Sequence, residues 1–218
     1  MAEDARAAGG PGPSGEGAAR AEALTRLWAA MARELPGQRP IVPGEGSPLA
    51  RLALVGEAPG REEERLGRPF VGPAGRLLDA LLAEVGLSRA DVWVTNVFKR
   101  RPVALRDGRE ENRAPTAAEL RAGLRWLLQE LGIVRPRLVV CLGAVALRAL
   151  LGRGTTLGEA RGRWQPGPLG TLVLATYHPA YVLRLQGTPY QRAFQEALGE
   201  VRQDFQRVRE AYEQEEAA

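Results

Sequence analysis

Residues 52–60 read LALVGEAPG, a short apolar run that ends in a glycine-rich turn. Three similar apolar runs follow, at residues 92–95, 138–142 and 171–176, and each is bounded by turn or helix signals. Runs as continuous as these are typical of strands that are buried on both faces, as in a parallel sheet covered by helices. We therefore predict four buried strands in a mainly parallel sheet.

Helical patterns separate the four runs. Apolar residues spaced three and four apart predict helices over about 74–85, 116–131 and 144–151, with further helices at about 21–35 and 190–213. Strand and helix alternate, which indicates an α/β fold. In open sheets of this class, ligands bind beyond the carboxyl ends of the strands, so the residues that follow each run are the candidate site residues.

The composition excludes several classes of protein. The 218 residues carry a formal net charge of +4 and are 44% hydrophobic, which suits one soluble domain. The single cysteine, Cys141, excludes a disulfide framework, a cysteine zinc site and an iron–sulfur cluster held by this chain alone. The single histidine, His178, excludes metal sites that need a pair of histidines. No apolar run reaches the roughly 18 residues of a membrane span and no secretory signal is present, so we expect a cytoplasmic protein without a membrane partner.

The domain organisation follows from the ends of the chain. Gly, Ala, Pro and Ser dominate the N-terminus, and we predict a disordered tail over residues 1–19. A single domain is expected over residues 20–214, with a short C-terminal tail at residues 215–218. We find no internal repeat.

Four residues at or near the ends of the strand runs have chemistry that suits a ligand. Glu57 lies in a turn whose backbone N–H groups can approach a ligand closely, and Phe70 lies between turn residues in GRPFVGPAG. Asn96 follows the second run and can pair with an amide-like nucleobase edge, because its side chain both donates and accepts. His178 ends the fourth run, before a proline. Each also has a structural interpretation: an ordinary turn, a core aromatic, a turn former and a packing histidine.

Taken together, GEAPG, GRPFVGPAG, TN followed by KRRP, and HPAYVLR resemble the uracil-DNA glycosylase superfamily, and most of all its family 4 bacterial and archaeal enzymes. The resemblance covers about residues 51–185. It implies a three-layer α/β/α sandwich around a central, mainly parallel four-stranded sheet. It also implies a monofunctional DNA repair enzyme that flips uracil out of DNA and hydrolyses its bond to deoxyribose, without lyase activity.

The resemblance assigns roles around the flipped base. Phe70 occupies the place of the aromatic that stacks on uracil, and Asn96 the place of the amide that reads N3 and O4. His178 matches the histidine that donates to O2 and stabilises the negative charge that gathers on the base as the bond breaks. Glu63 matches the acidic residue near C5 that disfavours the methyl group of thymine.

Two residues of the GEAPG turn complete the implied pocket. Glu57 is the candidate that orients or polarises the attacking water and stabilises the oxocarbenium-like sugar. Ala58 lies in the uracil pocket at the position where family 1 enzymes place a water-activating aspartate.

The resemblance also predicts the contacts with DNA. HPAYVLR is similar to the loop that enters the minor groove and fills the gap behind the flipped base. Tyr181 and Leu183 are the apolar wedge candidates, and Arg184 is a phosphate contact. The basic pair Arg100 and Arg101 also suits phosphates, so we expect salt-sensitive binding led by these three arginines.

The chain departs from family 4 at the iron–sulfur cluster. Family members usually bind a 4Fe–4S cluster through four cysteines, but here the N-terminal pair is absent, Arg100 occupies the third position and the fourth falls near Gly123. Cys141 lies in a predicted strand and matches none of them. We predict no cluster, no other cofactor and no metal, and expect packing around Trp28 and Trp126 to hold this region.

Several alternatives remain open. A related group forms a covalent link to the abasic site through a histidine, but Asn112 occupies that place here, so we expect no adduct. The same fold acting on hypoxanthine, xanthine or mismatched bases is a second interpretation. A non-catalytic relative that binds damaged DNA is a third, and an unrelated α/β domain with chance motifs is a fourth. The expected partner is uracil-containing DNA, and the expected state is a monomer.

Overall fold

All four predicted runs form strands. In the computed structural model, which describes residues 15–187 and 189–217, the strands are β1 (Glu45–Gly46), β2 (Leu52–Gly56), β3 (Val92–Asn96), β4 (Val103–Arg106), β5 (Arg109–Asn112), β6 (Leu138–Leu142), β7 (Gln165–Pro166) and β8 (Leu172–Thr176). The helices are α1 (Gly15–Glu34), α2 (Arg61–Leu66), α3 (Pro73–Glu84), α4 (Ala117–Val134), α5 (Ala144–Leu151), α6 (Leu157–Ala160), α7 (Pro179–Arg184) and α8 (Gln191–Ala217).

The main sheet is parallel at its centre and has an antiparallel strand at each edge. Within the described residues its order is β1-β3-β2-β6-β8-β7. The four central strands β3, β2, β6 and β8 are parallel to one another, whereas β1 and β7 pair antiparallel with β3 and β8. The predicted four-stranded sheet is therefore the core of a six-stranded one. Each edge strand has two residues, too few to leave a periodic pattern in the sequence.

Helices cover both faces of this sheet, which makes the three-layer sandwich. Because successive side chains of a strand point to opposite faces, Leu52 and Leu54 pack with α3, α7 and α8, while Ala53 and Val55 pack with α1, α4 and α5. The burial of β2 on both faces explains why its sequence is continuously apolar rather than alternating. The α/β fold class is confirmed.

The helix ends differ from the predicted domain boundaries. Helix α1 begins at Gly15 and α8 ends at Ala217, so residues 15–19 and 215–217, expected in the tails, are helical. The first 14 residues of the predicted N-terminal tail lie outside the described residues. Within the described part of the chain, no helix is both long enough and apolar enough to cross a membrane.

The arginine-rich segment after β3 forms a second, two-stranded sheet. The strands β4 and β5 pair antiparallel around Asp107 and Gly108, which both have positive φ angles of 50° and 72°. An Asp-Gly pair is a strong hairpin signal because both central residues of such a turn need positive φ. Strands β4 and β5 are not among the four predicted runs, so the hairpin is an addition to the predicted fold.

Candidate active site

A pocket of about 560 Å³ opens at the carboxyl ends of the parallel strands. Its walls come from the turn after β2, the loop before α3, the end of β3, the base of the β4–β5 hairpin and the start of α7. Eight predicted site residues line it: Glu57, Ala58, Glu63, Phe70, Asn96, His178, Leu183 and Arg184. Segments that are remote in sequence thus meet beyond the carboxyl ends of the parallel strands, where ligands bind in open sheets of this class.

A glycine lets an aromatic ring and an amide meet at the floor of this pocket. A Cβ on Gly56 would lie 2.4 Å from Cζ of Phe70 and 2.5 Å from Oδ1 of Asn96, so no other residue fits there. Asn96 is 2% exposed, and its Oδ1 has no hydrogen-bond partner in the described part of the chain. Buried polar atoms are normally hydrogen-bonded, so this unpaired acceptor indicates a ligand that donates.

His178 is held as a neutral hydrogen-bond donor. It is the N-cap of α7, and its Nδ1 accepts from the backbone N–H of Ala180 at 3.0 Å. Because Nδ1 is the acceptor, the neutral ring carries its proton on Nε2. Burial, together with the positive charge of Arg184, lowers the pKa of His178 to about 4. At neutral pH the ring is therefore uncharged, and its free N–H is the Nε2–H.

Glu57 places a carboxylate in the same pocket without a direct partner. Its side chain is partly buried and makes no hydrogen bond or ion pair with any described residue. Burial raises the pKa of Glu57, while the charges of Arg184 and Arg148 oppose that shift. The backbone carbonyl of Glu57 accepts from the N–H of Phe98 at 3.0 Å, which fixes the turn against the end of β3. Ala58, beside it, contributes only a methyl wall.

The carboxylate of Glu63 is engaged by backbone groups. Its Oε1 accepts from the N–H groups of Val71 at 3.0 Å and Gly72 at 2.8 Å, and its Oε2 accepts from Gly60 at 3.1 Å. Glu63 thereby joins the first turn of α2 to the loop before α3 while it lines the pocket. Sequence reasoning placed Glu63 in the site but missed this bridging role, since local pattern does not reveal such bonds.

The structure does not support DNA contacts for Arg100 and Arg101. Arg100 is 6% exposed, and its Nη2 donates to the carbonyls of Ala32 at 2.7 Å and Leu35 at 3.2 Å, at the end of α1. Arg101 is 4% exposed and its Nε donates to Oδ1 of Asn112 at 2.6 Å. Because both guanidinium groups are buried and bonded, the prediction that they bind phosphates is withdrawn.

The other predicted DNA contacts lie on α7 rather than on a loop. Leu183 and Arg184 line the pocket, and Tyr181, 39% exposed, lies outside it against Tyr177 with ring centroids 5.3 Å apart. The guanidinium of Arg184 lies 6.0 Å from the ring centroid of Tyr181. Arg184 thus both lines the pocket and contacts Tyr181 outside it. Arg113, which was not among the predicted site residues, lines the pocket just after β5 and pairs with Glu119.

The region where related enzymes hold a cluster is filled with protein. Leu27, Met31, Leu35, Phe98 and Trp126 form a buried apolar cluster there, and Trp28 packs against it. A Cβ on Gly123 would lie 2.4 Å from the carbonyl oxygen of Val97, so this position has no room for a cysteine side chain. Burial raises the pKa of the Cys141 thiol to about 12, away from the thiolate that a cluster needs. The residues present do not fit a four-thiolate cluster.

Comparison with known proteins identifies the family of this chain. The profile of the uracil DNA glycosylase superfamily matches residues 43–202, which contain the whole pocket. A type-4 uracil-DNA glycosylase of Pyrobaculum aerophilum is 41% identical over 150 residues, 66% of this chain and 73% of that protein. One from Thermotoga maritima is 40% identical over 70% of this chain and 76% of its own, and one from Archaeoglobus fulgidus is 41% identical over 65% and 71%. This chain belongs to the uracil-DNA glycosylase superfamily.

Proposed function

We propose that this protein is a uracil-DNA glycosylase that flips uracil out of DNA and hydrolyses its N-glycosidic bond to leave an abasic site. Membership of the superfamily and its relatives named type-4 uracil-DNA glycosylases support this function. The observation that carries it is the unpaired, buried Oδ1 of Asn96, which lies beside the ring of Phe70 in a pocket that also contains a neutral histidine. An extruded base needs a stacking face and a hydrogen-bonding edge in one pocket.

Base recognition rests on the amide of Asn96. Its Oδ1 accepts from N3–H of uracil, and its Nδ2 donates to O4. Cytosine presents the opposite pattern, an unprotonated N3 and a 4-amino group, so the same amide leaves two mismatched polar contacts. Phe70 supplies the stacking face. Uracil is preferred to cytosine because a buried polar group that is left without a hydrogen-bond partner costs free energy.

The chemical step uses the donor and the carboxylate on the two sides of the pocket. When the C1′–N1 bond breaks, its electron pair leaves with the base, and the Nε2–H of His178 donates to O2, where negative charge develops. The charge of the Glu57 carboxylate stabilises the oxocarbenium-like sugar as it forms. Water then bonds to C1′ and gives up a proton, which Glu57 accepts. A preorganised donor of this kind is typically worth about 10²–10³ in kcat.

Glu63 and Ala58 complete the wall around the base. The carboxylate of Glu63 is bonded to three backbone N–H groups, so it cannot move aside for a larger base. We assign it the exclusion of the 5-methyl group of thymine. Ala58 contributes a small apolar surface that leaves room for the base and water.

DNA binding is assigned to α7. Leu183 and Tyr181 are the apolar side chains that fill the space behind the flipped base, and Arg184 contacts a phosphate. Burial raises the pKa of Glu57 and lowers that of His178; the charge of Arg184 opposes the first shift and adds to the second. Arg184 therefore links DNA binding to the state of the two catalytic groups.

We infer that the protein works without a 4Fe–4S cluster, because the donor set does not fit one. Iron analysis of the purified protein, with its absorbance near about 400 nm, tests this inference. Iron near four atoms per chain would contradict it. The monomeric state and the cytoplasmic location stay predictions; sedimentation velocity tests the first.

The function is tested on oligonucleotides that contain a single uracil. We expect conversion to an alkali-labile site, no conversion of the matched thymine and cytosine oligonucleotides, and a loss of conversion in Asn96→Ala. Oligonucleotides with hypoxanthine and xanthine test the alternative that the same fold acts on other damaged bases. Binding to uracil DNA without any cleavage would favour the non-catalytic relative, and an adduct that survives denaturing electrophoresis would contradict simple hydrolysis.

A further inference from the structure

Phe70 adopts a backbone conformation that its residue type disfavours. Its φ is 53°, in the left-handed region where a Cβ crowds the following carbonyl. The residue is nevertheless 5% exposed and its ring is stacked on His178. Such a conformation persists only where the surrounding structure holds it, here through the contacts of the loop at residues 69–72.

One side of this loop is held by a cation that lies outside the pocket lining. Arg89, in the connection between α3 and β3, donates from Nη1 to the carbonyl of Pro69 at 2.9 Å and from Nη2 to the carbonyl of Phe70. Its Nε donates to Oδ1 of Asp79 on α3 at 2.7 Å, which orients the guanidinium. A planar guanidinium suits this task because its donors form a rigid fork.

The other side of the loop is held by an anion. The N–H groups of Val71 and Gly72 donate to Glu63. The peptide unit that follows Phe70 is thus bonded at its carbonyl by Arg89 and at its N–H by Glu63, while the preceding unit is bonded at the carbonyl of Pro69. Both peptide planes that flank the Cα of Phe70 are therefore anchored, and with them the direction of its side chain.

Close packing beneath the loop also restricts its backbone conformation. A Cβ on Gly75 would lie 1.7 Å from the carbonyl oxygen of Phe70, so α3 meets the loop backbone directly. At the opposite end of the side chain, the ring tip lies against Gly56. A change in the backbone angles of Phe70 would move the ring away from the pocket floor.

We propose that Arg89 is a positioning residue of the active site, which acts on uracil excision through the orientation of Phe70. The proposal rests on the stacking role assigned to Phe70 in the proposed function. Arg89 touches neither base nor sugar in this scheme. Its contribution is to hold the two carbonyls around the strained residue so that the aromatic face is already in place when the base enters.

The test compares Arg89→Met with Asp79→Asn. The methionine keeps much of the aliphatic length but removes every donor. The asparagine removes only the charge of the exposed Asp79 and keeps an Oδ1 that can accept from Nε of Arg89, so the bonds from Arg89 to the loop remain. We expect Arg89→Met to lower the single-turnover excision rate by about tenfold or more and to weaken inhibition by free uracil, because small displacements of positioning groups have effects of this size. Asp79→Asn should stay within about twofold of the parent.

A second comparison separates positioning from stability. In a Phe70→Ala background, Arg89→Met should change the excision rate by less than about twofold, since the ring on which it acts is gone. The loss of thermal stability caused by Arg89→Met should be present in both backgrounds. If Arg89→Met does not fold, Arg89→Lys replaces it; this variant keeps the charge but donates to one carbonyl at a time, and an intermediate loss of rate is expected.

Three results would overturn the proposal. An equal loss of rate on Arg89→Met or Arg89→Lys with and without Phe70 would show a merely structural role. A parental rate in both Arg89 variants would show no role. A parental rate in Phe70→Ala would show that Phe70 has no stacking role. That result would contradict this part of the proposed function, and it does not depend on any Arg89 variant.

Discussion

The imidazole of His178 stacks on the ring of Phe70, with centroids 5.8 Å apart and planes inclined by 28°. One ring is the donor assigned to uracil O2 and the other is the stacking face, so the contact couples the two functions. The geometry also depends on Gly143, where a Cβ would lie 3.0 Å from Cβ of His178. The two rings are supported from separate elements, α7 and the loop before α3.

His178→Asn should separate the two roles of this histidine. Asparagine is a good N-cap, so α7 keeps its cap and the variant should retain stability to within about 1 kcal/mol. The shorter side chain does not supply the Nε2–H donor, and we expect a loss of about 10²–10³ in the single-turnover rate. His178→Ala should lose activity to the same degree and stability as well. Retention of activity by the asparagine variant would contradict the assigned donor.

The stability of the protein should depend on pH through the same ring. The pKa of His178 is about 4 in the folded protein against an ordinary value of 6.5, so between these values the unfolded chain binds a proton that the folded protein does not. The free energy of unfolding should therefore fall as the pH is lowered from 6.5 towards 4. Urea denaturation measures this fall, which should be smaller in His178→Asn. An equal fall in both proteins would argue against it.

The acid limb of the pH–rate profile should come from Glu57. Burial raises its pKa above the ordinary value of 4.5, and the carboxylate must be ionised to accept a proton from water. We expect kcat/KM to fall on the acid side with a midpoint above 4.5, while His178 stays neutral through most of this range. Because Arg184 lowers the pKa of Glu57, Arg184→Gln should move the limb to higher pH. A midpoint at or below the ordinary value would exclude Glu57 as the titrating group.

Gly56→Ala should damage the pocket more than the fold. Its methyl group would overlap the ring tip of Phe70 and the Oδ1 of Asn96, so we expect a loss of about tenfold or more in excision. The matched control is Gly132→Ala in α4, where nothing lies within 4 Å of the added Cβ. That variant should keep full activity and gain up to about 1 kcal/mol of stability from helix propensity. Equal activity in the two variants would contradict the described floor of the pocket.

Salt dependence should distinguish surface arginines from buried ones. Arg184→Ala should reduce the slope of log affinity against log salt by about one, because one phosphate contact is lost. Arg101→Ala should leave the slope unchanged and lower stability, because Glu64 and Asn112 lose their buried partner. Fluorescence anisotropy with undamaged duplex DNA measures the slopes. A smaller slope in Arg101→Ala would indicate that Arg101 does contact a phosphate.

Part of this molecule is determined by local sequence pattern alone. Strands buried on both faces require continuous apolar runs, so β2, β3, β6 and β8 could be predicted without any partner. The rule that ligands bind at the carboxyl ends of such strands then brought Glu57, Asn96 and His178 to one edge of the sheet, where the pocket lies.

Only the tertiary structure decided which charged groups line the pocket and which hold the fold. Arg100, Arg101 and Arg184 have the same side chain, yet the first two are buried against α1 and the hairpin and the third lines the pocket. The hydrogen bonds that hold the backbone of Phe70 between Arg89 and Glu63 could not be predicted from the sequence either. Periodicity reports which face of an element is apolar, whereas the partner of a polar side chain depends on how distant segments approach one another, and that is settled only when the chain has folded.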